Sequence, residues 1–182
     1  MDFYHVIKTR RSIRSFSDKR IPDDVLARVL DAARIAPSGS NRQPWRFILV
    51  SDAELRQSLV PACHNQRFIA QAPLAIAACG YDIEFDRGDW MGKHSAIVDV
   101  TIAMDHLILA ARAEGLGTCW IGSFSDEQVK AVLRVPEDWH VVALTPLGYP
   151  QGEAFAETTD RKPLEEVICH NTWQERISEP GI

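Results

Sequence analysis

The longest apolar region of the chain, residues 97–113, places the strongest restriction on how the chain folds. Its apolar residues lie on most faces of a helix, and four polar residues make it too polar to span a bilayer: Asp99, Asp105, His106 and Arg112. We therefore predict a helix from residue 95 or 97 to residue 114, ended by Gly115. Such a helix must be covered on most of its faces, so it is either the central core helix or in part an oligomer interface.

The predicted elements around this helix mix helices and strands without a strict βαβ alternation. Helical spacing, capping residues and prolines predict further helices over residues 2–9, 22–36, 52–59, 65–70, 125–133 and 164–168. Short apolar segments predict strands over residues 46–50, 118–121 and 141–147, and a strand buried on both faces over residues 74–79. No repeat or composition break marks a second domain in the 182 residues, so we predict one α+β domain, a sheet covered by helices.

Charge and cysteine content narrow the classes of function. The 20 Lys and Arg against 25 Asp and Glu leave a net charge of −5, whereas a nucleic-acid binder normally has a basic excess, so an anionic ligand needs a local basic cluster. The four cysteines are widely spaced without a C-x-x-C pair, and no secretory signal is recognised, so we expect reduced thiols and a cytoplasmic protein. The six scattered histidines favour no metal site.

The first segment that indicates a function contains Arg10, Arg11, Ser12 and Arg14. Three guanidinium groups and a hydroxyl within five residues indicate a site for phosphate or another oxyanion, because arginine offers planar, paired donors. The alternative is a solvated basic turn at the C-terminus of a helix, where the helix dipole favours cations. Late in the chain, Arg161 and Lys162 form a basic pair at the start of a short predicted helix, a position that also suits phosphate.

The second segment is the loop at residues 36–45, in which two prolines bracket small polar residues and two amides. The side chains of Asn41 and Gln43 could read a planar heterocycle that carries alternating donors and acceptors. The alternative is a connection between a helix and a strand, in which Ser and Asn side chains bond to their own backbone. On the residues alone, both interpretations stand.

The third segment, residues 115–122, has two glycines before a predicted strand and Gly122 after it. A glycine allows close approach of the backbone and exposes an N–H as a fixed donor, although a tight helix-to-strand connection explains the same pattern. A strand follows these glycines where the dinucleotide fingerprint requires a helix, so that fingerprint is excluded. Cys119 has no His or acid near it in sequence, so we do not expect it to be a catalytic nucleophile.

Taken together, the motifs R-R-S-x-R, P-S-x-x-N-x-Q-P-W, G-L-G-T-C-W-I-G and D-R-K-P resemble the FMN-dependent nitroreductase family in order and spacing over residues 3–167. The resemblance implies an α+β fold with a central, mostly antiparallel sheet covered by helices, and an intertwined homodimer with two FMN sites at the subunit interface. It also implies a nitroreductase-like FMN-binding domain over residues 1–168. The C-terminal extension over residues 169–182 would pack on the partner subunit.

The resemblance also implies which residues bind the cofactor. One subunit is expected to contact the phosphate, the ribityl chain and the flavin ring edge through Arg10, Arg11, Ser12 and Arg14, and Arg161 completes the phosphate site. The partner subunit is expected to contribute Pro37, Ser38, Ser40 and Asn41, with Gln43 supporting their loop. A backbone N–H of Ile121 or Gly122 is expected to face flavin N5. No protein acid or base is expected to be indispensable, because the flavin carries the chemistry.

The activity implied by the resemblance is a ping-pong transfer of hydride from NADH or NADPH through FMN to an acceptor, usually a nitroaromatic or a quinone. Alternatives on the same scaffold are reductive dehalogenation, flavin-modifying chemistry and an FMN-binding redox sensor without significant turnover. The segment at residues 81–93 is short and acidic and favours none of these. Candidates for the walls of the acceptor pocket are Phe68, Trp90 and Met91.

Overall fold

The computed structural model describes residues 2–83 and 94–177 of the chain. Its helices in those residues are α1 (Phe3–Thr9), α2 (Asp23–Arg34), α3 (Ala53–Ala62), α4 (Phe68–Gln71), α5 (Ser95–Ala113), α6 (Asp126–Leu133) and α7 (Leu164–Val167). Its strands are β1 (Trp45–Val50), β2 (Leu74–Gly80), β3 (Gly117–Thr118) and β4 (His140–Gly148). They form one sheet in the order β1-β2-β4-β3 with every neighbouring pair antiparallel, which confirms the predicted α+β fold.

Helices cover the sheet on both of its faces. Successive side chains of a strand point to opposite faces, so Ala75, Ala77 and Cys79 of β2 pack into a core that α3 and α6 share. The alternate residues Ile76 and Ala78 pack into cores built by α2 and α5. All five side chains are at most 1% exposed. The prediction that this strand is buried on both faces is therefore confirmed.

The predicted long helix is α5, and it ends at a left-handed Gly115 with a φ of 76°. It packs against α1, α2 and the sheet, and ten of its 19 residues are buried, so it is the core helix. Its opposite face leaves Ile97 48% exposed and Ile102 and Leu109 only partly buried. The side of α5 that the described part of this chain leaves uncovered therefore carries these apolar side chains together with the exposed Thr101 and Asp105. Within the same part, no helix is long and apolar enough to cross a membrane.

Two predicted elements are shorter in the structure than the sequence predicts. The strand predicted at residues 118–121 is reduced to β3 and an isolated bridge between Ile121 and Leu144, because the Cys119 N–H donates to a side chain, Thr145 Oγ1, at 3.0 Å. The helix predicted at residues 65–70 is reduced to α4, because the two residues before position 66 are in the left-handed region, with φ of 51° and 62°. The segment at residues 84–93, with Trp90 and Met91, lies outside the described residues.

Replacing Leu107 of α5 by alanine should lower the free energy of unfolding by about 2–5 kcal/mol, because the side chain is fully buried and its truncation leaves a cavity. The matched control is Leu55→Ala on α3, where the side chain is 41% exposed and the loss should stay below about 1 kcal/mol. Chemical denaturation at one fixed protein concentration measures both losses, because association shifts the apparent stability. Equal losses at the two positions would contradict the placement of α5 in the core.

Candidate functional site

Basic residues from two distant parts of the chain line one cleft. The cleft is open to solvent and has a volume of about 450 Å³, and its first wall is formed by Arg10, Arg11, Ser12 and Arg14. Its second wall, residues 157–161, includes Glu157, Asp160 and Arg161. Five of the residues predicted to bind a ligand thus lie around one space. The alternative interpretation of the first segment, a solvated basic turn, does not predict this convergence.

The first wall is held by the end of α1 and by β3. Helix α1 ends at Thr9, and the segment after it runs beside β3, where the Ile13 N–H donates to the Thr118 O at 2.8 Å. Ile13 is buried, whereas its neighbours Ser12 and Arg14 are exposed toward the cleft. The close contact explains the glycine at position 117, because a Cβ there would lie 2.7 Å from Ile13 Cγ1.

Hydrogen bonds on both sides of the basic segment tie the second wall to the first. The Thr158 N–H donates to the Lys8 O at 3.1 Å, and the Gln151 N–H donates to the Ser15 O at 3.1 Å. The Ser15 hydroxyl also donates to the Gln151 Oε1 at 3.0 Å. Because most of these bonds join backbone atoms, they contribute to the spacing of the two walls without the exposed arginine side chains that line the cleft.

The arginines of the cleft have little compensating charge. Among the residues that the structure describes, no carboxylate forms an ion pair with Arg10, Arg11 or Arg14. Arg14 lies over the ring of Phe68, with its Cζ 5.8 Å from the ring centroid, a contact that orients the guanidinium without using its donors. These donors are available to an anion, and an oxyanion such as phosphate suits their planar geometry.

The loop before β1 is held in an unfavourable backbone conformation. Ser40, Asn41 and Gln43 have φ of 49°, 55° and 52°, which residues other than glycine adopt only when contacts hold them there. The Gln43 N–H donates to Ser38 Oγ at 2.9 Å, and its side-chain amide donates to Asn41 O at 3.0 Å and to Asn41 Oδ1 at 3.2 Å. Much of the polarity of this loop therefore serves its own backbone, while the Asn41 amide NH₂ has no acceptor among the described residues.

The loop is supported by Asp99 on α5, a residue that the sequence did not identify as part of a site. Its carboxylate is 3% exposed and accepts the Gly39 N–H, with distances of 3.2 and 3.3 Å to its two oxygens. A charged acceptor makes this a strong hydrogen bond. The sequence feature that could have identified Asp99 is its position as an acid within an apolar helix. A carboxylate is rarely buried unless another group pairs with it.

The loop and the basic cleft are separate within one chain. The loop contains five further predicted site residues, none of which lines the cleft: Pro37, Ser38, Ser40, Asn41 and Gln43. It is anchored instead to Asp99, close to the start of α5. One chain therefore presents two groups of predicted site residues that it does not bring together. A symmetric pair of chains could join them across an interface.

In the third predicted segment, Ile121 and Gly122 differ in whether their backbone N–H groups already have an acceptor among the described residues. The Ile121 N–H donates to the Leu144 O at 2.8 Å, and the Ile121 O accepts from the Leu144 N–H at 3.1 Å, so Ile121 has no donor for a ligand. Gly122 is exposed, and its N–H has no acceptor among the described residues. Next to it, Ser123 O accepts from Gln66 Nε2 at 2.9 Å, and Ser123 Oγ lies 2.9 Å from His64 Nδ1. These contacts fix the chain just after Gly122.

Cys119 lies behind the first wall of the cleft as a protonated thiol. Its side chain is 3% exposed, and burial raises its pKa above the ordinary value, with only a partial opposing effect from Arg14 and Ser12. A thiol with a raised pKa is a poor nucleophile at neutral pH. The geometry thus agrees with the expectation that this cysteine is not catalytic.

Comparison with known proteins identifies the scaffold. The sequence model of the nitroreductase family matches the chain in two overlapping segments, residues 7–91 and 64–149. A protein of Archaeoglobus fulgidus, named as a candidate NADH dehydrogenase/NAD(P)H nitroreductase, is 36% identical over 161 residues, which cover 86% of this chain and 90% of that protein. The chain has the antiparallel α+β scaffold of these proteins, and it belongs to the nitroreductase family.

Solved structures share the fold over nearly the whole chain. A nitroreductase family protein from Clostridium difficile 630 has a TM-score of 0.84 at 31% identity and covers 94% of this chain and 99% of its own. The NADPH:FMN oxidoreductase from Vibrio harveyi, solved with NAD+, has a TM-score of 0.84 at 28% identity, covering 95% of this chain and 78% of its own.

Relatives with other activities are also similar in sequence. A 5,6-dimethylbenzimidazole synthase of Rhodospirillum rubrum is 32% identical over 199 residues, covering 95% of this chain and 89% of its own. Iodotyrosine deiodinase 1 of Sus scrofa is 25% identical over 195 residues, covering 92% of this chain and 68% of its own. The scaffold alone does not select one reaction.

Asp99→Ala should release the loop before β1, because the Gly39 N–H loses a charged acceptor. We expect the amide hydrogen of Gly39 to exchange at least about tenfold faster, since a hydrogen bond to a charged group contributes about 1.5–3 kcal/mol. The matched control is Asp105→Ala on the exposed side of the same helix, which should leave this exchange rate unchanged. Unchanged exchange at Gly39 in Asp99→Ala would show that the carboxylate does not hold the loop.

Proposed function

We propose that the chain is an NAD(P)H-dependent FMN oxidoreductase that reduces nitroaromatics, quinones or related acceptors by a ping-pong mechanism. The observation that carries the proposal is the convergence of basic side chains from both ends of the sequence on one open cleft, in a chain of net charge −5. Relatives named as NAD(P)H nitroreductase and NADPH:FMN oxidoreductase support the cofactor and the electron donor.

The basic cleft suits the phosphate end of FMN. A phosphate monoester carries close to two negative charges at neutral pH, and the four guanidinium groups that line the cleft outnumber its two acids, Glu157 and Asp160. We assign Arg10, Arg11 and Arg161 to the phosphate, where their planar groups can donate in pairs, and Ser12 adds a short hydroxyl donor. The helix α1 and strand β3 hold the backbone of this segment, so the attachment points of the donors are fixed before the ligand binds.

The remaining predicted residues suit the flavin ring. The Gly122 N–H, which has no acceptor among the described residues, is a fixed donor that we assign to N5, and we assign Arg14, oriented by Phe68, to the ring edge. The free amide of Asn41 and the hydroxyl of Ser40 would come from the partner subunit. FMN, when bound, supplies the hydride-transfer chemistry. The chain itself binds and orients the ring and leaves space for the donor and the acceptor in turn, so no protein acid or base is required.

A homodimer completes the site in this proposal. The loop of residues 37–43 does not line the cleft of its own chain, and among the described residues nothing covers Ile97 of α5, which is 48% exposed. Further apolar side chains are exposed on α1, where Phe3 and Tyr4 are 62% and 67% exposed. Trp173 is 88% exposed, which supports packing of the C-terminal extension, residues 169–182, on the partner subunit.

The nature of the acceptor separates the main proposal from its alternatives. The relatives named 5,6-dimethylbenzimidazole synthase and iodotyrosine deiodinase favour flavin-modifying chemistry and reductive dehalogenation as alternatives. A redox sensor would bind FMN and yet show no significant turnover. A panel of nitroaromatics, quinones, halogenated phenols and reduced flavin, tested on one preparation without oxygen, distinguishes these activities.

The two half-reactions test the proposal directly. The purified protein should be yellow, NADH or NADPH should bleach the flavin absorbance without oxygen, and a quinone or nitroaromatic should restore it within the turnover time. Stopped-flow absorbance measures each step separately. Bleaching without reoxidation by any member of the panel would favour the sensor, and a colourless protein that takes up no FMN would refute the proposal.

Mixing two defective subunits tests whether the site is shared between chains. Arg14→Ala removes a cofactor contact from the basic segment, and Asn41→Gly removes one from the loop while keeping its left-handed backbone conformation. Each homodimer should retain FMN poorly, because both of its sites lack one contact. In a mixed dimer, one site carries both changes and the other carries neither.

Unfolding and refolding the two variants together in equal amounts should therefore restore FMN binding and activity in about a quarter of all sites. The control is the same procedure with Arg14→Ala alone, which should restore none. If the mixture recovers nothing while mixed dimers are shown to form, the two groups of residues serve the same subunit and the shared site is wrong.

A further inference from the structure

Arg112, in the last turn of α5, is a buried cation that pairs with no acid in the part of the chain that the structure describes. The residue is 5% exposed, and among the described residues it forms no ion pair with a carboxylate. Burying a charge without a counterion costs free energy, so packing alone does not explain an arginine at position 112. It does not line the basic cleft, and no predicted role included it.

The contacts of Arg112 reach two separate segments. Its Nε donates to Thr9 Oγ1 at 3.0 Å, and its Nη2 lies 3.4 Å from His5 Nε2, both on α1. Thr9 Oγ1 in turn donates to the His5 O at 2.6 Å. On its flat face, the guanidinium stacks on the ring of Phe155, with the Cζ 4.0 Å from the centroid.

Each segment leads directly into one wall of the cleft. Thr9 is the residue before Arg10, and Phe155 comes two residues before Glu157. Between them, the Lys8 O accepts the Thr158 N–H at 3.1 Å. We propose that Arg112 is a positioning residue that fixes the separation of the two walls, and through it the affinity of the cleft for the phosphate of FMN. This inference rests on the function proposed above.

The chemistry of arginine explains why this residue suits the position. A guanidinium is planar, so it can stack on an aromatic ring while its edge donates hydrogen bonds in the same plane. A methionine would fill a similar volume but would supply neither the donors to α1 nor the stacking cation. Removing the guanidinium should therefore loosen both walls relative to each other without opening the main core of the chain.

The test is a comparison of FMN with riboflavin, which has the same ring system and no phosphate. Arg112→Met should raise the Kd for FMN of the flavin-stripped protein by about tenfold or more and leave the Kd for riboflavin within about twofold. Fluorescence titration of the full-length protein measures both constants. The control is Arg28→Met, which removes an ion pair with Glu114 at the same end of α5 and should change neither constant.

A second variant covers the case in which Arg112→Met does not fold. Phe155→Leu keeps an apolar side chain but removes the ring on which the guanidinium stacks, and it should weaken FMN selectively in the same way. Equal weakening of FMN and riboflavin in the folded variants, or no weakening of either, would overturn the positioning role. If the wild-type protein binds riboflavin and FMN equally or binds neither, the phosphate site itself is wrong, and the proposed function fails with it.

Discussion

The concentration of uncompensated arginines in an acidic chain is the constraint on which the rest of the structure depends. Like charges a few ångströms apart repel by about 1 kcal/mol or more, and the residues that line the open cleft include four guanidinium groups and two acids, Glu157 and Asp160. The fold holds the two walls together through backbone hydrogen bonds and through the buried Ile13. An anion that binds in the cleft lowers the repulsion between the guanidinium groups. The two walls are already held in place before it binds.

Helix α5 connects the two groups of residues in the proposed site. Near its start, Asp99 holds the loop before β1 through the Gly39 N–H, and near its end Arg112 contacts the segments that lead into the cleft. Both are polar side chains buried in a mostly apolar helix, a costly arrangement that hydrogen bonds offset. The apolar side chains that the same helix leaves exposed or partly buried, Ile97, Ile102 and Leu109, suit a dimer in which the loop of one chain would meet the cleft of the other.

The helices and most strands could be predicted because their signals are local: apolar spacing, caps and turn residues. The end of β3 could not be predicted from local signals. It depends on a hydrogen bond from the Cys119 N–H to the side chain of Thr145, a residue distant in sequence. The basic segment was recognisable as an anion site, but its meeting with Arg161 follows from tertiary structure and was expected only from the family resemblance. Asp99 and Arg112 were visible only as polar interruptions of a helix, and sequence does not show what a buried charge contacts.

Phosphorus NMR of protein-bound FMN tests the central claim most directly, because it observes the group that the arginines are assigned to hold. A free phosphate monoester changes its chemical shift as it titrates around its second pKa of about 6. Guanidinium groups stabilise the doubly charged form and lower that pKa, so the bound resonance should stay constant between about pH 5 and pH 8. A bound resonance that titrates like free FMN over that range would show that the phosphate lies in solvent, and the account of the cleft would be contradicted.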